Sequence, residues 1–75
     1  MQSGNEKRRI VAANEVVIGD RRLKQCVVEI SSGMVTDYYT FEEEQPYTEW
    51  LGGTIILVRD KENSLRAFKN GNLIQ

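Results

Sequence analysis

Apolar positions along the chain come in short runs without a helical period, and the residues between the runs are those that make turns. Ile10-Val11-Ala12-Ala13 and Val16-Val17-Ile18 are two short runs separated by Asn14-Glu15, and Gly19-Asp20 supplies a turn after them. Residues 23–30 predict the next strand, in which alternation puts Cys26, Val28 and Ile30 on one face and Val27 and Glu29 on the other. Ser31-Ser32-Gly33 closes a tight turn, with Gly33 where a positive φ is needed. Residues 34–41, rich in β-branched and aromatic side chains, form a further strand. At residues 42–46 the pattern breaks, because three adjacent carboxylates repel one another and Pro46 denies a ladder hydrogen bond; an exposed loop is expected. Tyr47-Thr48-Glu49-Trp50-Leu51 fits a short strand or one helical turn, ended by Gly52-Gly53.

The run Ile55-Ile56-Leu57-Val58, within a strand over residues 54–59, predicts burial on both faces. Asp60-Lys61-Glu62-Asn63 turns the chain. Residues 64–69 set Leu65 and Ala67 against Arg66, with Phe68 continuing the run, and Asn70-Gly71 is a strong hairpin signal leading into residues 72–75. The fold class expected is all-β: five to seven short, mostly antiparallel strands in a small β-sandwich or partly open barrel. Residues 1–8 are polar and charged and predict a flexible N-terminal tail, with Lys7-Arg8-Arg9 leading into the first strand, so that residues 9–75 form a single β domain. Nothing repeats.

Composition narrows the function more than the fold. The chain has 75 residues, 40% of them hydrophobic and 28% charged, which suits one small folded domain and leaves no room for a catalytic barrel. It has no histidine and one cysteine, which removes the commonest general base, the commonest metal ligand and any intrachain disulfide. Small domains gain stability from disulfides, metals or association, and association is the route left open. The net charge is −1, against the basic face that phosphate binding needs, so no nucleic-acid partner is expected. Charge is unevenly placed: between residues 26 and 50 lie Glu29, Asp37, Glu42, Glu43, Glu44 and Glu49 without a single Lys or Arg. That asymmetry could steer one copy onto another or onto a protein partner. No apolar stretch is long enough to span a bilayer, the opening residues lack a secretory pattern, and a lone thiol suits a reducing cytoplasm.

Individual candidates for chemistry are few. Glu42-Glu43-Glu44 could attract calcium, but successive residues point apart and no Asp-x-Asp-x-Asp-Gly pattern completes a cage, so a solvated acidic loop is expected. Cys26 has no histidine to activate it and reads as a core thiol. Ser31, Ser32 and Ser64 sit at turns, where hydroxyls serve the backbone. Gly52-Gly53 lacks the lysine and helix of a phosphate loop and reads as a turn or bulge. The aromatic set Tyr38, Tyr39, Phe41, Tyr47 and Trp50 flanks the acidic loop, as aromatics at interfaces do, with Tyr47 and Trp50 the ones expected to be partly exposed. The contact surface expected is therefore Glu42, Glu43, Glu44, Tyr47 and Trp50. No catalytic residue, metal or cofactor is expected. A third class, a small barrel binding a ligand or nucleic acid, has the Arg21-Arg22-Lys24 cluster in its favour.

From Arg9 to Asp20, and again in Cys26-Val27-Val28-Glu29-Ile30-Ser31-Ser32-Gly33-Met34-Val35, the chain resembles the opening of amidohydrolase-superfamily enzymes. That family includes dihydroorotases, adenine deaminases and N-acetylglucosamine-phosphate deacetylases, and its opening strands begin a small β-sandwich, the composite domain. Thr54-Ile55-Ile56-Leu57-Val58-Arg59-Asp60 and Ala67-Phe68-Lys69-Asn70-Gly71-Asn72-Leu73-Ile74 resemble the family's closing strands. Where the family enters its metal-bearing barrel, residues 42–53 here bridge directly to the closing strands, and none of the family's metal ligands has a counterpart. The resemblance implies a freestanding composite-like domain without the enzyme, or the non-catalytic part of a split hydrolase whose barrel is a separate chain.

Overall fold

The structure, a computed structural model, describes residues 8–75. Seven strands follow one another: β1 (Arg8–Ile18), β2 (Arg21–Ser31), β3 (Met34–Thr40), β4 (Glu49–Trp50), β5 (Thr54–Arg59), β6 (Leu65–Lys69) and β7 (Asn72–Leu73). They form one sheet in the order β3-β2-β1-β5-β6-β7, with β4 beside β1. Its pairings are antiparallel except those of β1 with β4 and with β5. Of the expected tail, residues 1–7 lie outside the described residues, and Arg8 already belongs to β1, opposite Ser31. No helix among the described residues is long and apolar enough to cross a membrane.

Turn chemistry sets the hairpins. Ile18 pairs with Arg21, Ser31 with Met34 and Lys69 with Asn72, so each loop holds two residues. Ser32 and Gly33 take φ of 52° and 81°, and Asn70 and Gly71 take 55° and 81°. Positive φ at both central positions is the turn whose twist matches that of the flanking strands.

The two apolar runs expected before Gly19 belong to a single strand, β1, whose phase slips. Val11 and Ala13 reach the core, and so does Val16, three residues on. On β2 the same slip separates Leu23 from Cys26. The pairing skips Asn14 and Gln25, between Ala13 opposite Cys26 and Glu15 opposite Lys24, and Gln25 adopts φ 51°, so both strands change face together and the register beyond is unchanged. A second irregularity lies on β3, where the register shifts opposite Glu29 and Ile30 and Thr36 Oγ1 donates to the Glu29 carbonyl at 3.2 Å. Such a bulge bends and twists its strand.

Bending brings β3 round to lie against β6 without pairing to it. The sheet is thus curled but not closed into a barrel, and its concave side holds the core: Val11, Ala13, Val16, Cys26, Val28, Ile30, Ile55, Leu57, Leu65, Ala67 and Ile74. Across the open seam Arg66 Nη1 donates to the Gly33 carbonyl, and within its own hairpin Arg66 Nε donates to Asp60 Oδ2, both at 2.9 Å.

Strand β5 departs from expectation. Ile55 and Leu57 are buried, whereas Ile56 and Val58 are each 47% exposed. Burial on both faces needs a layer on each side, and among the described residues the convex face of β5 has none. Ile56 instead joins Val17, Phe68 and Leu73 in a row across the convex face of β1, β5, β6 and β7.

Candidate functional site

Residues 41–48, which include the acidic loop that the sequence places at 42–46, cross the convex face between β3 and β4. Their entry is fixed by the Phe41 amide, which donates to the carbonyl of the left-handed Gln25 at 2.9 Å. Within the loop, Gln45 Nε2 donates to the Glu43 carbonyl and Thr48 Oγ1 to the Pro46 carbonyl, so side chains satisfy backbone that cannot join a ladder. At the exit, β4 runs parallel to β1 with Val11 opposite Glu49 and Ala12 opposite Trp50. Arg9 Nη2 donates to both oxygens of Glu49 at 2.9 and 3.0 Å, while Arg9 Nη1 donates to the Gln75 carbonyl.

Gly52-Gly53 is a bulge that lets one segment line β1 twice. The Leu51 and Gly52 amides both donate to the Ala12 carbonyl, the Gly53 amide to Asn14 Oδ1 at 2.8 Å, and the Glu15 amide to the Gly53 carbonyl. Gly52 has φ 71°, a left-handed conformation that favours glycine, while a Cβ there would make only ordinary contact with Trp50 Nε1 at 3.5 Å.

Trp50 is consequently held by its backbone while its side chain stays 57% exposed. Together with Ala12, Phe41, Glu44, Gln45 and Thr48 it lines a hollow of about 270 Å³. Ala12 is 2% exposed and belongs to the face opposite the main core, so it forms the apolar bottom. Of the five residues expected at a contact surface, Glu44 and Trp50 enter this hollow. Glu42, Glu43 and Tyr47 are exposed around it, with Tyr47 on a turn at φ 60° and 98% exposed. The segment expected as a short strand or a helical turn resolves into this turn followed by β4. Ala12, Gln45 and Thr48 had no signal of their own in the sequence: Ala12 reads as one more small strand residue until β4 is laid beside it.

Elsewhere several titratable groups are occupied with the fold. Glu15 accepts from Arg22 Nη1 at 3.1 Å and lies 3.9 Å from Lys24 Nζ, so two members of the basic cluster are engaged with a carboxylate. Burial pushes the Cys26 thiol above its ordinary pKa, and its Sγ faces the Val27 carbonyl at 3.6 Å. Tyr39 donates its hydroxyl to Glu29 Oε2 at 2.9 Å, and that bond, lost on ionisation, raises the phenol's pKa. Asp60 is held below the usual aspartate value, first by the Arg66 guanidinium and then by the Ser64 and Glu62 amides. Among the described residues no three Cys, Asp or Glu side chains converge in a way that could hold a metal ion. A second hollow, of about 410 Å³, lies in the seam between β3 and β6, with Val35, Tyr38 and Leu65 in its wall. In comparison with known proteins, no family, curated protein or solved structure matches the chain.

Proposed function

We propose that this chain is a non-catalytic protein-interaction domain of a reducing, cytoplasmic compartment, and that residues 41–50 are its contact surface. The observation that carries this reading is Trp50: the chain's single tryptophan sits in β4 opposite Ala12 of β1, the two amides after it donate to the Ala12 carbonyl, and its side chain is yet left more than half exposed. A small domain gains by burying its largest apolar side chain, and an exposed indole carried on a paired strand beside a hollow is the kind of anchor around which binding energy concentrates. The chemistry of the remainder supports a role without catalysis, since the chain has no histidine and its one thiol is buried and protonated at neutral pH. The order of hairpin motifs, which resembles that of the amidohydrolase composite domain, fits the same role, a β unit that serves another chain, and a hydrolase barrel encoded separately is the partner it would name.

Capture of partners from the native host tests both halves. The wild-type chain should retain a protein partner that Trp50→Ala and Glu43→Lys lose for the most part. Retention unchanged by both substitutions would refute the surface, and metal-dependent turnover by the purified chain, abolished by substituting its own residues, would refute the absence of catalysis.

A further inference from the structure

The hollow beside Trp50 has a shape and a charge that select one kind of occupant. At about 270 Å³ it lies just below the usual range of roughly 300–1,000 Å³ for small-molecule sites, the size for a single long side chain rather than a cofactor. Its bottom at Ala12 and its walls at Phe41 and Trp50 are apolar and aromatic, which suits a methylene stem and attracts a cation to the rings. Glu44 lines it, and exposed Glu42 and Glu43 stand next to Glu44 in the loop. The segment supplies no cation of its own, because residues 26–50 contain no Lys or Arg. Of the nearby cations, Arg9 is engaged with both oxygens of Glu49, and Lys24 lies beyond Phe41 in an adjoining hollow beside Glu42, outside the lining.

We propose that this hollow takes the side chain of a lysine or arginine from a basic peptide segment of the partner. The methylenes lie against Ala12 and the two rings, the charged head meets Glu44, and the flanking carboxylates draw neighbouring basic residues toward the loop. This assignment rests on the reading of residues 41–50 as a contact surface and adds to it the chemistry of what is contacted. Because β4 is paired with β1 at Ala12, the backbone that carries Trp50 is already ordered before binding.

The single tryptophan reports on the site directly. The full chain at low ionic strength is titrated with a short oligolysine peptide, and with oligoglutamate of equal length, while indole fluorescence is followed. A saturable change with oligolysine alone is expected, weakening as salt is added. By calorimetry, Trp50→Leu, which leaves every charge in place, should bind oligolysine about tenfold more weakly, a factor within the span of cation–π contacts. Glu44→Gln should weaken it severalfold. No saturable change, or equal binding by Trp50→Leu, overturns the proposal, the latter by revealing diffuse charge attraction alone. If oligolysine fails while capture of a cellular partner still depends on Trp50, the cationic occupant is wrong and the contact surface stands; if capture also ignores Trp50, both fall.

Discussion

At the scale of residues, burial follows which side of the curled sheet a side chain stands on, and not how apolar its neighbours in sequence are. Ile55 and Ile56 are adjacent and chemically identical, yet Ile55 is fully buried and Ile56 is 47% exposed. Truncation should separate them. Ile55→Ala removes methyl groups from a packed core and is expected to cost about 3 kcal/mol, whereas Ile56→Ala should cost about 1 kcal/mol or less. Urea unfolding of the two variants measures the difference; equal losses would mean that the convex face of β5 is covered in solution. Alternation was legible on β2, where Cys26, Val28 and Ile30 face the core as the pattern predicts. On β5 the uninterrupted apolar run concealed it, because four β-branched or leucine residues in a row read alike whether one face is buried or two.

At the scale of elements, local turn chemistry set the hairpins, and tertiary contact then added a second demand at one of them. Gly33 needs its positive φ of 81°, and in addition a Cβ there would come within 3.2 Å of Arg66 Nη1, which donates to the Gly33 carbonyl. Gly19 at φ 62° has nothing within 4 Å of such a Cβ. Alanine at either position pays the left-handed backbone penalty of about 1–2 kcal/mol, and only at position 33 must a guanidinium also give way. Gly33→Ala is therefore expected to lower the urea midpoint more than Gly19→Ala does. Equal effects would show that the Arg66 bridge contributes nothing to the turn. The slip at Asn14 and Gln25 is the counterpart case: the polar break in β1 was visible in the sequence, but only pairing with β2 reveals that it changes the face and does not end the strand.

At the scale of the molecule, the open seam is where closure depends on polar contacts. Asp60 and Arg66 tie the β5–β6 hairpin to the β2–β3 turn, and Asp60 also accepts from the Ser64 and Glu62 amides through Oδ1. These bonds hold the Asp60 carboxyl below its ordinary value, so the folded state prefers the ionised form. The contribution is complete above the unfolded carboxyl value of about 3.9 and is lost as pH falls through the lower folded value. The urea midpoint of the wild type should accordingly fall on acidification by more than that of Asp60→Asn, which lacks this titration. Parallel pH profiles would show that the bridge adds no stability. As β3 has no strand paired with it other than β2 among the described residues, its amides should exchange faster in Asp60→Asn while those of β1 stay protected.

What the chain's residues determined by themselves was the all-strand class, the places of the turns, the core face of β2 and the exposed acidic loop with its tryptophan. Each of these depends on neighbours in sequence: alternation, φ preferences, and repulsion between adjacent charges. Only the tertiary structure decided the order of strands, the parallel seating of β4 and β5 along β1, the partly exposed apolar row on the convex face, and the hollow between Phe41 and Trp50. Every strand edge offers the same amides and carbonyls, so the choice of neighbour turns on how the whole sheet curls around its core. The hollow exists because β4 and the loop before it were laid across Ala12.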